Sequence, residues 1–152
     1  MPSEQQKGEL ELQIFRRFLA VASLPYDAKT AKKRNPPEPD ILCAHVKEGP
    51  VAFELVEICD PNFAQSVFLA PKGGPTYLRT TDPTQHVLRK KIRRKYQTDY
   101  PIELLCYTQG RVITPINVIV PRMRAVLHSS RTPFRCAWLF SRNQVQQVWS
   151  VE

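Results

Sequence analysis

Three segments of the chain have apolar side chains three or four positions apart, the spacing that places them on one face of a helix. The first segment covers residues 9–24 and is stopped by Pro25. In the second, residues 83–96, the apolar positions follow one another at intervals of four. The third covers residues 117–128 and is expected to kink, or to start, near Pro121. The pattern therefore predicts three helices.

Shorter apolar runs separated by turn residues predict strands. The run at 51–59 is apolar on both faces except at Glu54 and Glu57, which indicates a central strand with helices on both sides. Residues 26–39 are basic and then proline-rich, so they are predicted to form an exposed loop. Residues 60–85 carry two turn clusters and are predicted to form a long loop with one short strand or helical turn near 67–69. The predicted strands cover residues 40–46, 51–59, 102–108, 134–140 and 145–149.

The order of these elements predicts an α/β domain, α-β-β-(loop)-α-β-α-β-β, in which helices flank a central mixed sheet. A chain of 152 residues is the usual size of one domain, and no sequence feature divides it, so residues 1–152 are expected to fold as a single unit. There is no apolar run of 18 residues, which excludes a membrane-spanning helix and predicts no membrane partner. A homodimer is left open.

Charge and cysteine usage narrow the class of protein. The chain has 22 basic and 14 acidic residues, a net charge of +8, which favours phosphate polyanions as partners but also fits a merely basic surface. The four cysteines are scattered and include no Cys-x-x-Cys pair, so a zinc ribbon or a disulfide scaffold is a poor interpretation. Together with a polar N-terminus, this usage predicts a cytoplasmic protein.

Asp40 and Glu54 are the first candidates for chemistry. Asp40 begins one predicted strand, and Glu54 lies in the middle of the next, beyond a four-residue turn. A tight turn makes the two strands antiparallel neighbours, so both carboxylates could reach one divalent ion. A carboxylate within an apolar strand is costly to bury without a partner, and Glu54 therefore needs an explanation.

The segments Pro39-Asp40 and Phe53-Glu54-Leu55-Val56 resemble the PD-(D/E)XK nuclease superfamily, over roughly residues 9–108. The resemblance implies a restriction-endonuclease-like core and metal-dependent hydrolysis of phosphodiester bonds in DNA or RNA. It assigns Asp40 and Glu54 to Mg²⁺ or Mn²⁺, and Glu11, or alternatively Glu9, as a helix partner. Glu11 is preferred because it lies four and seven positions before two phenylalanines on the inward face of the first helix.

The chain departs from this family at Val56, which stands where the family has its catalytic lysine. Some members carry that lysine on the following helix. Lys91 and Lys95 lie on the same face as Leu88 in the predicted helix 83–96, and Lys91 is the first choice for the role.

Basic residues near this predicted site are expected to hold the nucleic-acid backbone, largely without reading sequence. They fall in two clusters, one in the predicted loop 26–39 and one on the predicted helix 83–96. The expected binding residues are Lys32, Lys33, Arg34, Arg89, Lys90, Arg93, Arg94 and Lys95.

Two alternatives stay open. Glu54 could form a buried ion pair with a basic residue of the 89–95 helix and have no catalytic role. With no lysine at position 56, the chain could also be a catalytically inactive module of the same fold that binds nucleic acid or a protein partner.

Overall fold

The structure, a computed structural model, describes residues 3–60 and 82–151. Within these ranges the chain forms three helices and six strands. The short element predicted near residues 67–69 lies outside the described residues. The elements, in chain order, are α1 Glu4–Ala22, β1 Tyr26–Lys33, β2 Ile41–His45, β3 Gly49–Glu57, α2 Thr84–Ile92, β4 Ile102–Tyr107, α3 Ile116–Ser129, β5 Cys136–Ser141 and β6 Gln144–Ser150.

The six strands form one mixed sheet in sequence order, β1-β2-β3-β4-β5-β6. Of the four inner strands, β3, β4 and β5 run parallel to one another. The outer pairs β1–β2, β2–β3 and β5–β6 are antiparallel. All six residues of β4 are buried, as expected for a strand covered on both faces.

Helices cover both faces of this sheet and divide the core in two. Phe15 and Phe18 of α1 pack with Phe53 and Leu55 on one face. On the other face, α2 and α3 pack against side chains that include Val56. Successive residues of a strand point to opposite faces, so Glu54 points to the side of α2 and α3. The α/β fold with a helix-flanked mixed sheet is therefore confirmed.

Local capping explains where α1 begins and ends. The hydroxyl of Ser3 accepts a hydrogen bond from the Gln6 amide, and the Gln6 side chain accepts one from the Ser3 amide. The helix ends at Ser23, whose φ of 51° is left-handed. Between these ends, α1 buries Glu11 along with its apolar face.

The prediction of an exposed loop over residues 26–39 is confirmed as a loop for residues 34–39 and wrong for residues 26–33, which form β1. This edge strand has only one covered face, and its apolar positions are few: Tyr26, Ala28 and Ala31. Exposed lysines are common on edge strands, where they discourage pairing with other chains. The run of basic residues therefore concealed a strand.

Two helix boundaries also differ from the predictions. α2 ends at Ile92, so Tyr96 follows the helix rather than belonging to it. α3 begins at Ile116, and Pro121 lies inside it rather than at its start. None of the helices in the described ranges is long and apolar enough to cross a membrane.

Candidate active site

Asp40 and Glu54 face each other across the pair of strands β2 and β3. Ile41 is paired with Phe53, so the residue before Ile41 lies beside Glu54. The Asp40 amide donates to Glu54 Oε1 at 3.1 Å, and the Leu55 amide donates to Asp40 Oδ2 at 2.8 Å. These bonds extend the strand pairing by one residue. The structure thus brings together the two carboxylates that the sequence singled out.

Glu54 is almost completely buried, with 1% of its surface exposed. Its Oε2 atom accepts hydrogen bonds from Lys91 Nζ at 2.9 Å, from Tyr96 Oη at 3.2 Å and from Arg94 at 3.3 Å. Lys91 belongs to α2, and only 14% of its side chain is exposed. Lys91, the first choice for the displaced lysine, is therefore the one that contacts Glu54.

Glu11 reaches the same cluster through Lys33. The Lys33 ammonium lies 3.2 Å from Glu11 Oε2 and 3.1 Å from Asp40 Oδ1, so one cation bridges α1 and the start of β2. Glu11 is 5% exposed, whereas Glu9, the alternative, is exposed and accepts a bond only from a glutamine. The preference for Glu11 over Glu9 agrees with this geometry.

We call these residues the carboxylate cluster. It contains three carboxylates and three cations, so its formal charges balance when all are ionised. Glu54 and Glu11 are buried, whereas Lys33 and Arg94 are 30% and 47% exposed, and the pairing spares the buried carboxylates most of the cost of an isolated charge. The members are Glu11, Lys33, Asp40, Glu54, Lys91 and Arg94, with Tyr96 as a neutral donor.

The surroundings shift the pKa values of the two central carboxyls in opposite directions. Burial raises the pKa of Glu54, the negative charge of Asp40 raises it further, and Lys91 opposes both. Burial also acts to raise the pKa of Asp40, but the hydrogen bond from the Leu55 amide and the charge of Lys33 outweigh it and hold this pKa below its usual value. Glu54 is therefore the first of the pair to take up a proton as the pH falls.

The oxygens of Asp40 and Glu54 fit the ligand chemistry of Mg²⁺ or Mn²⁺, because both ions prefer carboxylate oxygen. Each oxygen of Asp40 accepts one hydrogen bond, as does Oε1 of Glu54, so each of the three keeps a second lone pair. Residues 3–60 and 82–151 contain no group of three His, Cys, Asp or Glu that could hold a metal ion. The pair alone could supply the protein ligands for one ion, with water completing its coordination.

The predicted nucleic-acid-binding residues fall into two groups. Lys33 and Arg94 donate to the carboxylate cluster, and Arg34 is held by both oxygens of Glu38 at 2.9 and 3.1 Å. The others are exposed, and none of them forms an ion pair with a described residue. These exposed residues are Lys32, Arg89, Lys90, Arg93 and Lys95. Lys95, the second choice for the displaced lysine, is exposed beyond the end of α2.

Sequence reasoning assigned Lys33 to nucleic-acid binding rather than to the carboxylate cluster, and it assigned no role to Tyr96. Tyr96 had a signal, since it follows Ile92 by four positions on the apolar face of the predicted helix. Lys33 had none, because it stands in the run Lys32-Lys33-Arg34, where every member has the same charge. Its inward direction depends on the position of α1 over β1.

The fold and the cluster define an α/β protein with a buried, charge-balanced carboxylate site at one end of its mixed sheet. In comparisons with known proteins, no family model, no curated protein and no solved structure matches the chain.

Proposed function

We propose that the chain is a metal-dependent nuclease of the PD-(D/E)XK kind, which hydrolyses phosphodiester bonds of DNA or RNA. One observation carries the proposal: Lys91 Nζ lies 2.9 Å from the buried Glu54 carboxylate, although Val56 occupies the usual lysine position. The two residues are 37 positions apart, so the contact is not a product of local sequence. A lysine from α2 thereby stands beside the carboxylate pair.

In this proposal Asp40 and Glu54 would hold one Mg²⁺ or Mn²⁺. Such an ion acts as a Lewis acid on a phosphoryl oxygen and lowers the pKa of bound water. The Leu55 amide donates to Oδ2 of Asp40, which holds this carboxylate in place, and the bond lowers the pKa of Asp40 and so favours its ionised form. Lys91 would orient the attacking water or offset the negative charge that develops on the phosphate. Glu11 acts through Lys33, whose ammonium positions Asp40.

The exposed basic residues of α2 support nucleic acid as the substrate. Arg89 and Lys90 of α2 are exposed and have no acidic partner in the described ranges, whereas Lys91 on the same helix points inward to Glu54. Arg94, which follows the helix, is 47% exposed and also donates to Glu54, so a phosphate backbone bound to this basic surface would meet the carboxylate pair there. Contacts of this kind are electrostatic and give little sequence preference.

Plasmid nicking in Mg²⁺ and in Mn²⁺ tests the proposal, with Glu54→Gln as the variant. Gln keeps the shape of the side chain but removes a charged ligand, so we expect nicking to fall by at least about 100-fold. Glu57→Gln is the matched control, because Glu57 lies on the same strand and pairs with the exposed Arg111. Nicking by Glu54→Gln at the wild-type rate would contradict the proposal, as would the absence of nicking by the wild type with either ion.

A catalytically inactive binding module is the second candidate function. It is favoured by the saturation of Glu54 Oε2, which accepts bonds from Lys91, Arg94 and Tyr96 and leaves no room at that oxygen. In that case the cluster stabilises the fold, and the basic face of α2 binds nucleic acid without cleavage. Salt-sensitive DNA binding by a wild type that does not nick with either ion would favour this candidate.

A further inference from the structure

A cavity of about 810 Å³ opens where the carboxyl ends of the parallel strands β4 and β5 meet the start of α3. Ligand sites in open α/β sheets occur at this end of the strands. The volume lies within the range of small-molecule sites. The cavity includes none of the members of the carboxylate cluster.

Two arginines give this cavity a positive charge. Arg17 of α1 and Arg142 of the β5–β6 turn both line it, and no Asp or Glu is among its lining residues. Arg17 donates to Asn143 Oδ1 at 2.8 Å and lies over the ring of Phe140, 5.5 Å from its centroid. Within the described ranges, neither arginine is paired with a carboxylate. Two guanidinium groups without a counter-charge at one concave surface favour an anionic ligand.

The position of Arg142 is unusual for an arginine. Ser141 pairs with Gln144, so Arg142 and Asn143 form a two-residue turn, and their φ angles are 52° and 58°. Such turns favour Asn or Gly at both positions, because a larger side chain is strained at positive φ. The turn therefore carries a guanidinium at the edge of the cavity where its backbone would favour a smaller residue.

The rest of the lining is suited to a ring system as well as to an anion. Ile14, Val112 and Phe140 offer apolar surface, while Thr108, Thr114 and Asn117 offer hydroxyl and amide groups. Apolar walls with a few polar groups are typical of sites for small organic ligands.

We propose that this cavity binds an organic phosphate of nucleotide size, with Arg17 and Arg142 on the phosphate and the apolar wall against the base. The proposal goes beyond the nuclease proposal and does not depend on it, because neither a metal ion nor the carboxylate pair takes part. The phosphate could belong to a free nucleotide or to the 5′ end of a polynucleotide, since both present the same group.

The cavity nonetheless lies close to the carboxylate cluster. Arg17 and Glu11 are on the same helix, six residues apart, which is about 9 Å along the axis. Tyr107 lines the cavity, and burial together with the charges of Glu11, Glu57 and Asp40 raises its pKa. A ligand bound here would therefore be a neighbour of the proposed catalytic site.

Titration calorimetry in EDTA tests the proposal with four probes: ADP, adenosine, and a DNA hexamer with or without a 5′-phosphate. We expect the wild type to bind ADP, the phosphorylated hexamer or both, and to bind adenosine much more weakly. The unphosphorylated hexamer can bind only through the basic face of α2, so its affinity should not depend on Arg17 or Arg142. Preference for ADP assigns the site to free nucleotides, and preference for the phosphorylated hexamer assigns it to polynucleotide ends.

Two variants show whether the cavity is responsible. Arg17→Gln and Arg142→Asn should each weaken binding about tenfold, the effect of losing one charge-assisted hydrogen bond. Arg142→Asn places a favoured residue in the turn, so misfolding cannot explain its loss. Arg131→Gln, an exposed arginine outside the cavity, should bind as the wild type does. No binding of either phosphorylated probe, equal binding of ADP and adenosine, or unchanged binding of the phosphorylated probes in both cavity variants would overturn the proposal.

Discussion

Replacing Lys91 by Met measures how far the buried Glu54 carboxylate depends on its lysine. Lys91 is 14% exposed and lies 2.9 Å from Glu54 Oε2, so the pair is largely screened from water. Breaking a buried pair by removing one partner typically costs about 3–5 kcal/mol. Arg94 and Tyr96 still donate to the same oxygen, and we therefore expect a smaller loss of about 2 kcal/mol. In a domain of this size, that is a fall in Tm of about 4–8 °C.

The sign of the pH dependence follows from the raised pKa of Glu54. Burial and Asp40 already disfavour its ionised form, and the loss of Lys91 would raise this pKa further. A carboxyl whose pKa is raised by folding contributes most to stability below its unfolded pKa and loses that contribution as the pH rises. Lys91→Met should thus be most destabilising near pH 8, with a smaller effect near pH 4, where Glu54 is largely protonated.

Thermal unfolding followed by circular dichroism at the two pH values checks this expectation. Lys90→Met is the matched control, because Lys90 is the adjacent residue on α2, is exposed, and has no ion-pair partner in the described ranges. Its Tm should equal that of the wild type at both pH values. An unchanged Tm for Lys91→Met at pH 8, or an equal loss at both pH values, would refute the electrostatic reasoning.

Two further predictions concern the core and the basic face. Leu104→Ala, in the middle of the fully covered strand β4, should lower the free energy of unfolding by about 2.7–5 kcal/mol in urea denaturation. Leu10→Ala, at a 41% exposed position, is the control and should change this free energy little. Equal losses in the two variants would contradict the central position of β4. Arg89→Gln should reduce the slope of log K for DNA binding against log salt concentration by the equivalent of about one phosphate contact, as measured by fluorescence anisotropy. Arg16→Gln, on α1 across the sheet, is the control and should leave the slope unchanged. Equal slopes in the two variants would exclude α2 as the binding face.

The candidate site was more predictable than its surroundings. Asp40 and Glu54 could be paired from sequence because a short turn brings their strands together, and a one-residue shift would have turned Glu54 to the other face. Lys91 could be placed because it borders the apolar stripe of α2, three positions after Leu88. Each of these inferences needed only the spacing of apolar residues within one helix or strand and the element adjacent to it in the chain.

β1 was missed for a related reason. An edge strand has one covered face, so its few apolar residues produce a weak pattern, and its lysines resemble those of an exposed loop. The alternation of Tyr26, Ala28 and Thr30 with the charged Asp27 and Lys29 was the available signal. The basic charge of residues 29–34 obscured it.

The sequence by itself determined most of the helices and strands in the described ranges, because a helix that buries one face repeats its apolar residues at a fixed interval and a strand buried on both faces is a short continuous apolar run. It also determined that the carboxylates at 40 and 54 would be neighbours. Only the tertiary structure decided that Lys33 joins Glu11 to Asp40, and that Arg17 and Arg142 face one cavity. Those contacts depend on how α1 lies across the sheet, which no local period in the sequence encodes.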